Sequence, residues 1–251
     1  SRLLLQKSDF QTLEKFLLKT YSSFLEDKLF TRANHNDKLT LLTYLTNCLY
    51  KTKKHSTSLE YAHILEYAMK EHDGFLSDKY LFYYYNALVL NYAVEDKDKA
   101  LEVLNEAKKN EAIKKLPAYT TFIYLNTSLL YYQKKMYVLA AKNISRLIQQ
   151  EDFLSLDKGF QLKLLIAELI IRSELGQNDI ISDQIGVINA NYKSTISDGA
   201  NKRDAEVLKL LLMMAKDKNI QNKVATIVAM MSDEASREAD IISYNDWMKT
   251  I

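Results

Sequence analysis

Proline occurs once in this 251-residue chain and glycine only five times. An all-β protein needs many turns, and turns draw on residues that take positive φ or lock φ near −65°. That scarcity excludes an all-β chain, whereas long helices joined by short polar connections need neither residue. Cysteine also occurs once, at Cys48, so no intrachain disulfide and no thiolate-rich metal site can form, and a disulfide-stapled secreted frame is excluded. No stretch reaches the roughly 20 apolar residues of a membrane-spanning helix. Neither sign of charge dominates: 34 basic against 32 acidic residues leave a net +2, without the concentrated positive charge of a nucleic-acid binder. With 47% hydrophobic and 26% charged residues, what remains is an all-α chain with enough apolar material for a core. The expectation is a cytoplasmic protein with no membrane and no nucleic-acid partner.

Motifs that carry chemistry are missing too. There is no glycine-rich phosphate loop, paired-histidine zinc helix, nucleophile elbow or cysteine pair. His35, His55, His63 and His72 read as dispersed over loops and helix surfaces. His55 and His63 share a helix face, but two ligands two turns apart do not make a zinc site. Glu168 and Glu174 read as carboxylates on the wet edge of an apolar helix, with neither the partner nor the cleft that a general acid needs. The lysine runs "KTKKH" and "KKNEAIKKL" fall at turns, where lysine is solvated, and Cys48 reads as a small filler inside a helix. No catalysis, no metal and no cofactor are expected.

What the chain does have is a repeat. "YYNALVLNYAVEDKDKALEVLNEA" (84–107) aligns without a gap on "YLNTSLLYYQKKMYVLAAKNISRL" (124–147), offset by 40. Tyr84, Asn86, Leu90, Tyr92, Ala100 and Leu104 fall on Tyr124, Asn126, Leu130, Tyr132, Ala140 and Ile144. Tyr50 lies 42 residues before Tyr92, and Tyr50, Tyr92 and Tyr132 each stand eight residues before a small one: Ser58, Ala100 and Ala140. A fourth segment keeps the rhythm without the tyrosine, in "QLKLLIAELIIRSEL" followed by Ile181, Ile185 and Ile188. Apolar residues recur at three and four, as in Leu101, Leu104 and Ala107, which gives each helix one stripe. Thr57 with Glu60, and Ser8 with Gln11, have capping-box spacing. Each unit therefore reads as two helices around a short turn ("VEDKD", "QKKM", "LGQND"), and stacking such pairs closes the core.

These residues resemble the tetratricopeptide-repeat superfamily, in which each unit is two antiparallel helices over about 34 residues. Tyr124 to Leu147 carries the resemblance, departing from the family where "QKKM" lacks the usual glycine and where the repeat runs to 40–42 residues. Other helix-pair solenoids, with periods of about 40 to 47, fit that spacing equally well. The resemblance implies a right-handed all-α solenoid of antiparallel helix pairs: a single helical-repeat domain over 1–251. Its units would be a truncated 1–30, then 38–72, 76–110, 118–152, 157–190 and 201–231, with a capping helix at 238–251. "SRLLLQKSDF" begins abruptly on an apolar run, so the expectation is a fragment of a longer chain.

If first helices line a concave face, the family's ligand-facing positions carry over to Thr43, Asn47 and Tyr50; then to Phe82, Tyr85, Val89 and Tyr92; then to Phe122, Leu125, Leu129, Tyr132 and Gln133; and in the fourth unit to Lys163, with Ile166 and Ile170. The family's carboxylate clamp is matched only by Asn126 and Lys163 in one register and by Asn47 and Asn86 in another, so chaperone-tail binding is not expected. The implied role is a non-catalytic protein–protein interaction scaffold that binds a peptide or helix in an aromatic groove. The alternative is a sensor or regulatory domain whose effector domain lies upstream of residue 1. Tyr244, Trp247 and Met248 share a helical face and are expected to cap the solenoid, or else to mediate self-association of a monomer or weak homodimer.

Overall fold

A computed structural model describes residues 9–216 and 240–251. Every regular element among these residues is helical, and no described helix is long and apolar enough to cross a membrane. The chain divides into two compact units, residues 1–119 and 120–251.

In the first unit, α1 (Phe10–Glu26) starts at Asp9, whose carboxylate accepts the Thr12 amide at 3.1 Å. Ser8, of the expected Ser8–Gln11 box, lies outside the described residues. A 3-10 turn (Arg32–Asn34) leads into α2 (His35–Lys51), α3 (His55–Gly74), α4 (Ser77–Glu95) and α5 (Lys97–Lys109). The Thr57–Glu60 box does not form. The connection after α2 is so short that α3 is already helical at His55, with Lys54 as an N-cap that makes no side-chain bond. "KKNEAIKKL", expected at a turn, holds the single-turn α6 (Glu111–Lys114), because the Asn110 side chain accepts the amides of Ala112 and Ile113 at 2.9 and 3.2 Å. Consecutive helices α1 to α5 pack on one another, and α2 also touches α4. Leu13 and Leu17 of α1, Leu39, Leu42 and Leu45 of α2, and Leu65 of α3 form one buried cluster, each leucine stabilising the fold by about 1.5–3 kcal/mol. Cys48 belongs to it, its Sγ donating to the Phe10 carbonyl at 3.0 Å and burial pushing the thiol up to about 11.

The second unit opens with a π turn (Thr121–Leu125) that runs into α7 (Asn126–Gln133). It continues through α8 (Tyr137–Ile148), a 3-10 turn (Glu151–Ser155), α9 (Lys158–Glu174), α10 (Asn178–Asn191), the short α11 (Lys193–Ile196), a 3-10 turn (Gly199–Asn201) and α12 (Lys202–Lys216), and the chain is described again at α13 (Tyr244–Met248). "KVATIVAMM", the end of the expected unit 201–231, lies outside the described residues. The hub is α9, which touches α8, α10 and α12. Leu162, Leu164, Ile166, Ala167, Leu169, Ile170 and Ile171 expose no surface, as expected of a helix apolar nearly all round. Glu168, expected on a wet edge, is buried on this helix and held there by Arg172 at 2.7 Å and the Ser145 hydroxyl at 2.6 Å. Tyr244, Trp247 and Met248 are buried in the same cluster as α9.

The repeated residues share one local design. Ser58, Ala100 and Ala140 expose nothing. Ser58 Oγ donates to the Thr46 carbonyl, and Ser128 Oγ to the Ala140 carbonyl, both at 2.8 Å. In each case a small residue lets two backbones twelve positions apart come close. The preceding tyrosines clasp the start of the next helix: Tyr50 against the His55 ring at 5.3 Å, Tyr132 against Tyr137 at 5.6 Å, and Tyr92 under the Lys99 ammonium at 4.3 Å.

Four helices close in the same way, three on lysine and one on glycine. After α1, α2, α7 and α9, a residue at φ +51 to +68° ends the helix: Lys28, Lys53, Lys135 and Gly176. Its amide bonds three residues back while the next amide bonds five back, as in Lys53 to Tyr50 and Lys54 to Leu49, both at 2.9 Å. This is the Schellman closure, in which glycine is the usual left-handed residue. The glycine absent from "QKKM" is replaced by Lys135 at φ 58°.

Candidate functional site

In the first unit a cleft runs between α2 and α4. Thr43, Asn47 and Tyr50 line one wall, and Tyr83, Asn86 and Leu90 the other, over a floor of Thr46, Ala87 and Asn91. The floor is closed on itself: buried Asn91 donates to Ser58 Oγ at 2.9 Å and to the Ala87 carbonyl at 2.8 Å. The amides of Asn47 and Asn86 have no hydrogen-bond partner among the described residues, and Asn47 stands exposed at the rim. No lining side chain is charged. The cleft is shallow, about 40 Å³, room for a few waters rather than for an enclosed small molecule, which needs roughly 300 Å³ or more.

Thr43, Asn47 and Tyr50 are thus brought together, while the residues read from the sequence on α4 are not their facing partners. Val89 is 1% exposed and belongs to the core. Tyr92 is committed to its turn, Phe82 lies against Tyr83 at 5.7 Å, and Tyr85 against Tyr84 at 5.4 Å. Tyr83, Asn86 and Leu90 face the first wall instead. The reason is geometric. Repeat spacing maps a helix onto the same flank of its neighbour, but the cleft between two neighbours is lined by opposite flanks. The wall on α4 therefore consists of Tyr83, Asn86 and Leu90, one flank away from the positions onto which the 42-residue offset of Tyr50 and Tyr92 maps α2.

The second unit splits its expected residues. Phe122 is buried, and Leu125 packs against Leu147, Phe153 and Leu164. The π turn carries an extra residue per turn, which takes these two off the face of Leu129 and Tyr132. Leu129, Tyr132 and Gln133 line a cleft of about 210 Å³ with Ile241, Ile242 and Trp247. Burial, with Glu174 and Tyr137 nearby, raises the Tyr132 phenol far above its ordinary range, so it stays a neutral donor. Lys163 lies in another cavity, of about 410 Å³, beside Asp157, Asn201, Arg203 and Asp240. Its ammonium is held by both oxygens of fully buried Asp204, at 3.0 and 3.2 Å. Asp204 also accepts the Tyr244 hydroxyl at 2.6 Å, and Arg203 pairs with Asp240 at 2.9 Å. The charges there compensate one another, which is what allows them to be buried.

Compared with known proteins, the chain matches no family model, no curated protein and no solved structure. The histidines, read from the sequence as dispersed, are not all so. His55 meets Tyr50 and Asn91, and His63 meets Glu66, but His35 and His72 lie ring against ring, 4.8 Å apart, beside Glu71. Thirty-seven residues separate the two histidines, and no local spacing signals the contact.

Proposed function

We propose that the chain is a non-catalytic, cytoplasmic protein–protein interaction scaffold whose helix pairs are antiparallel and stack with the right-handed geometry of the tetratricopeptide class. It takes an extended peptide segment of a partner protein between α2 and α4. Contacts of Thr46 with Ser58 and Tyr50 with His55, repeated as Ser128 with Ala140 and Tyr132 with Tyr137, support antiparallel pairing. So does the touching of alternate helices, α2 with α4 and α9 with α12, for stacking.

The observation that carries the function is the pair of unpartnered amides, Asn47 and Asn86, facing across an uncharged cleft. A side-chain amide donates and accepts at once, as a peptide bond does, so two of them can hold a backbone laid along the cleft. Tyr50 and Tyr83 supply rigid apolar walls. The lining's hydroxyls, on Thr43, Thr46, Tyr50 and Tyr83, have no carboxylate, imidazole, thiol or amine beside them in the cleft to activate them as nucleophiles.

Selection of random peptides displayed on phage against the purified chain tests this. Enriched peptides should be uncharged over the segment that binds, and Asn47→Ala with Asn86→Ala should weaken them about 5- to 150-fold, two hydrogen bonds at roughly 0.5–1.5 kcal/mol each. Peptides that bind the double variant as well as the parent would overturn the assignment.

A further inference from the structure

We propose that His35, Glu71 and His72 form a binding site for a zinc-type divalent cation, two imidazoles and one carboxylate at the junction of α2 with the end of α3. Their ligand atoms all lie within 4.8 Å of one another. His35 Nδ1 is 3.9 Å from Glu71 Oε2, and the His35 and His72 rings meet edge-on at 88°. Metal–ligand bonds of about 2.0–2.2 Å in a tetrahedral site set donor atoms roughly 3.4 Å apart. The widest pair of donors therefore needs to close by roughly 1.4 Å, a rotation that half-buried His72 and exposed Glu71 can make.

The backbone explains why two consecutive residues can serve one ion. In an uninterrupted helix neighbouring side chains point about 100° apart. Here the helical path of α3 breaks at Glu71 (ψ 157°), followed by left-handed His72 (φ 54°) and Asp73 (φ 61°), and both side chains turn toward His35.

A separate observation points to a ligand. The His35 side chain is completely buried, and neither ring nitrogen has a hydrogen-bond partner among the described residues. A neutral imidazole carries one donor and one acceptor, and a buried polar atom without a partner is disfavoured; a cation on Nδ1 satisfies the acceptor and leaves the Nε2 donor as the one group still to be matched. Burial, reinforced by His72, lowers the proton affinity of His35 below its ordinary value, which leaves its lone pair available at neutral pH.

The donor set selects the metal class. Imidazole with carboxylate suits zinc and its first-row neighbours, whereas calcium and magnesium take oxygen alone. Three protein ligands leave a fourth position for water on the side of exposed Glu71. Lys38 now holds both Glu71 oxygens, at 2.7 and 2.8 Å. It would yield Oε2 to the metal and keep Oε1, acting as an orienting partner. A metal here fastens the start of α2 to the end of α3.

Untagged protein, stripped with a chelator and titrated with zinc in competition with a chromophoric chelator, tests the proposal. A single equivalent should bind and raise the melting temperature, since a ligand that binds only the folded state stabilises it. Because His35→Ala removes a core side chain and is liable to unfold the unit, the decisive variants are His72→Ala and Glu71→Gln. Each should weaken zinc by about tenfold or more, with folding checked by circular dichroism, while His55→Ala and His63→Ala bind as the parent does. No zinc uptake, or uptake equal in His72→Ala, Glu71→Gln and the parent, would overturn the site.

Discussion

Replacing Lys135 by glycine should stabilise the unit formed by residues 120–251. Lys135 closes α7 at φ 58° with its side chain exposed. An L-residue pays roughly 1–2 kcal/mol for the left-handed conformation, and glycine avoids that strain. Glycine also gives the unfolded chain more freedom, which returns about 0.4–1 kcal/mol of the gain. The net is about 0.5–1 kcal/mol, or roughly 2–4 °C in melting temperature for a unit of this size. Gly176 provides the reciprocal experiment: it closes α9 at φ 68°, and a Cβ added there would meet nothing within 4 Å. Gly176→Ala should therefore cost about 1 kcal/mol through the backbone alone. Lys135→Ala keeps the strained backbone and removes the side chain, so it should change little. Thermal unfolding followed by far-ultraviolet circular dichroism reads all three. If Lys135→Gly melts at or below the parent temperature, or Gly176→Ala leaves stability unchanged, then closure by a left-handed residue does not govern these turns.

Two further perturbations probe the packing and the charges. Ala140→Leu, at a fully buried helix crossing, should destabilise by about 1–3 kcal/mol through overpacking; Val138→Leu, on the exposed side of the same helix, should stay within about 0.5 kcal/mol, and equal denaturant midpoints would contradict the crossing. Burial pushes the Glu14 carboxyl up, but hydrogen bonds from Lys54 and Thr52, with the charges of Lys54 and Lys15, outweigh it and hold the group below its ordinary 4.5. A depressed carboxylate contributes stability above its unfolded pKa and loses it as the pH falls through the folded one. The stability difference between the parent and Glu14→Gln should be full at neutral pH and shrink below pH 4.5; a difference that does not change with pH refutes the pairing.

The helices and their short connections are written in local residue choice. Tyr50, Tyr92 and Tyr132 each reach only five to seven residues ahead, and Ser58, Ala100 and Ala140 each meet a backbone twelve residues away or less, or mark the same place in the repeat. Periodicity and spacing capture contacts of that range, so the all-α class and most helix positions were legible. Thr43, Asn47 and Tyr50, which the resemblance implied on one helix, line one wall of a cleft.

Tertiary structure decided the rest, because it decides which flank of one helix meets which flank of another. It set Tyr83, Asn86 and Leu90 opposite that wall in place of Phe82, Tyr85 and Val89. It buried Glu168 beside Arg172 and gave Lys163 to Asp204. The π turn at Thr121–Leu125 shifted Phe122 inward by one residue's rotation, a change that an ideal helical period does not contain. His35 and His72 met only because α2 lies on α3 and because the path of α3 breaks at Glu71. Sequence determines what each helix can offer on its surface; the packing of helices far apart in the chain determines which of those offers come together.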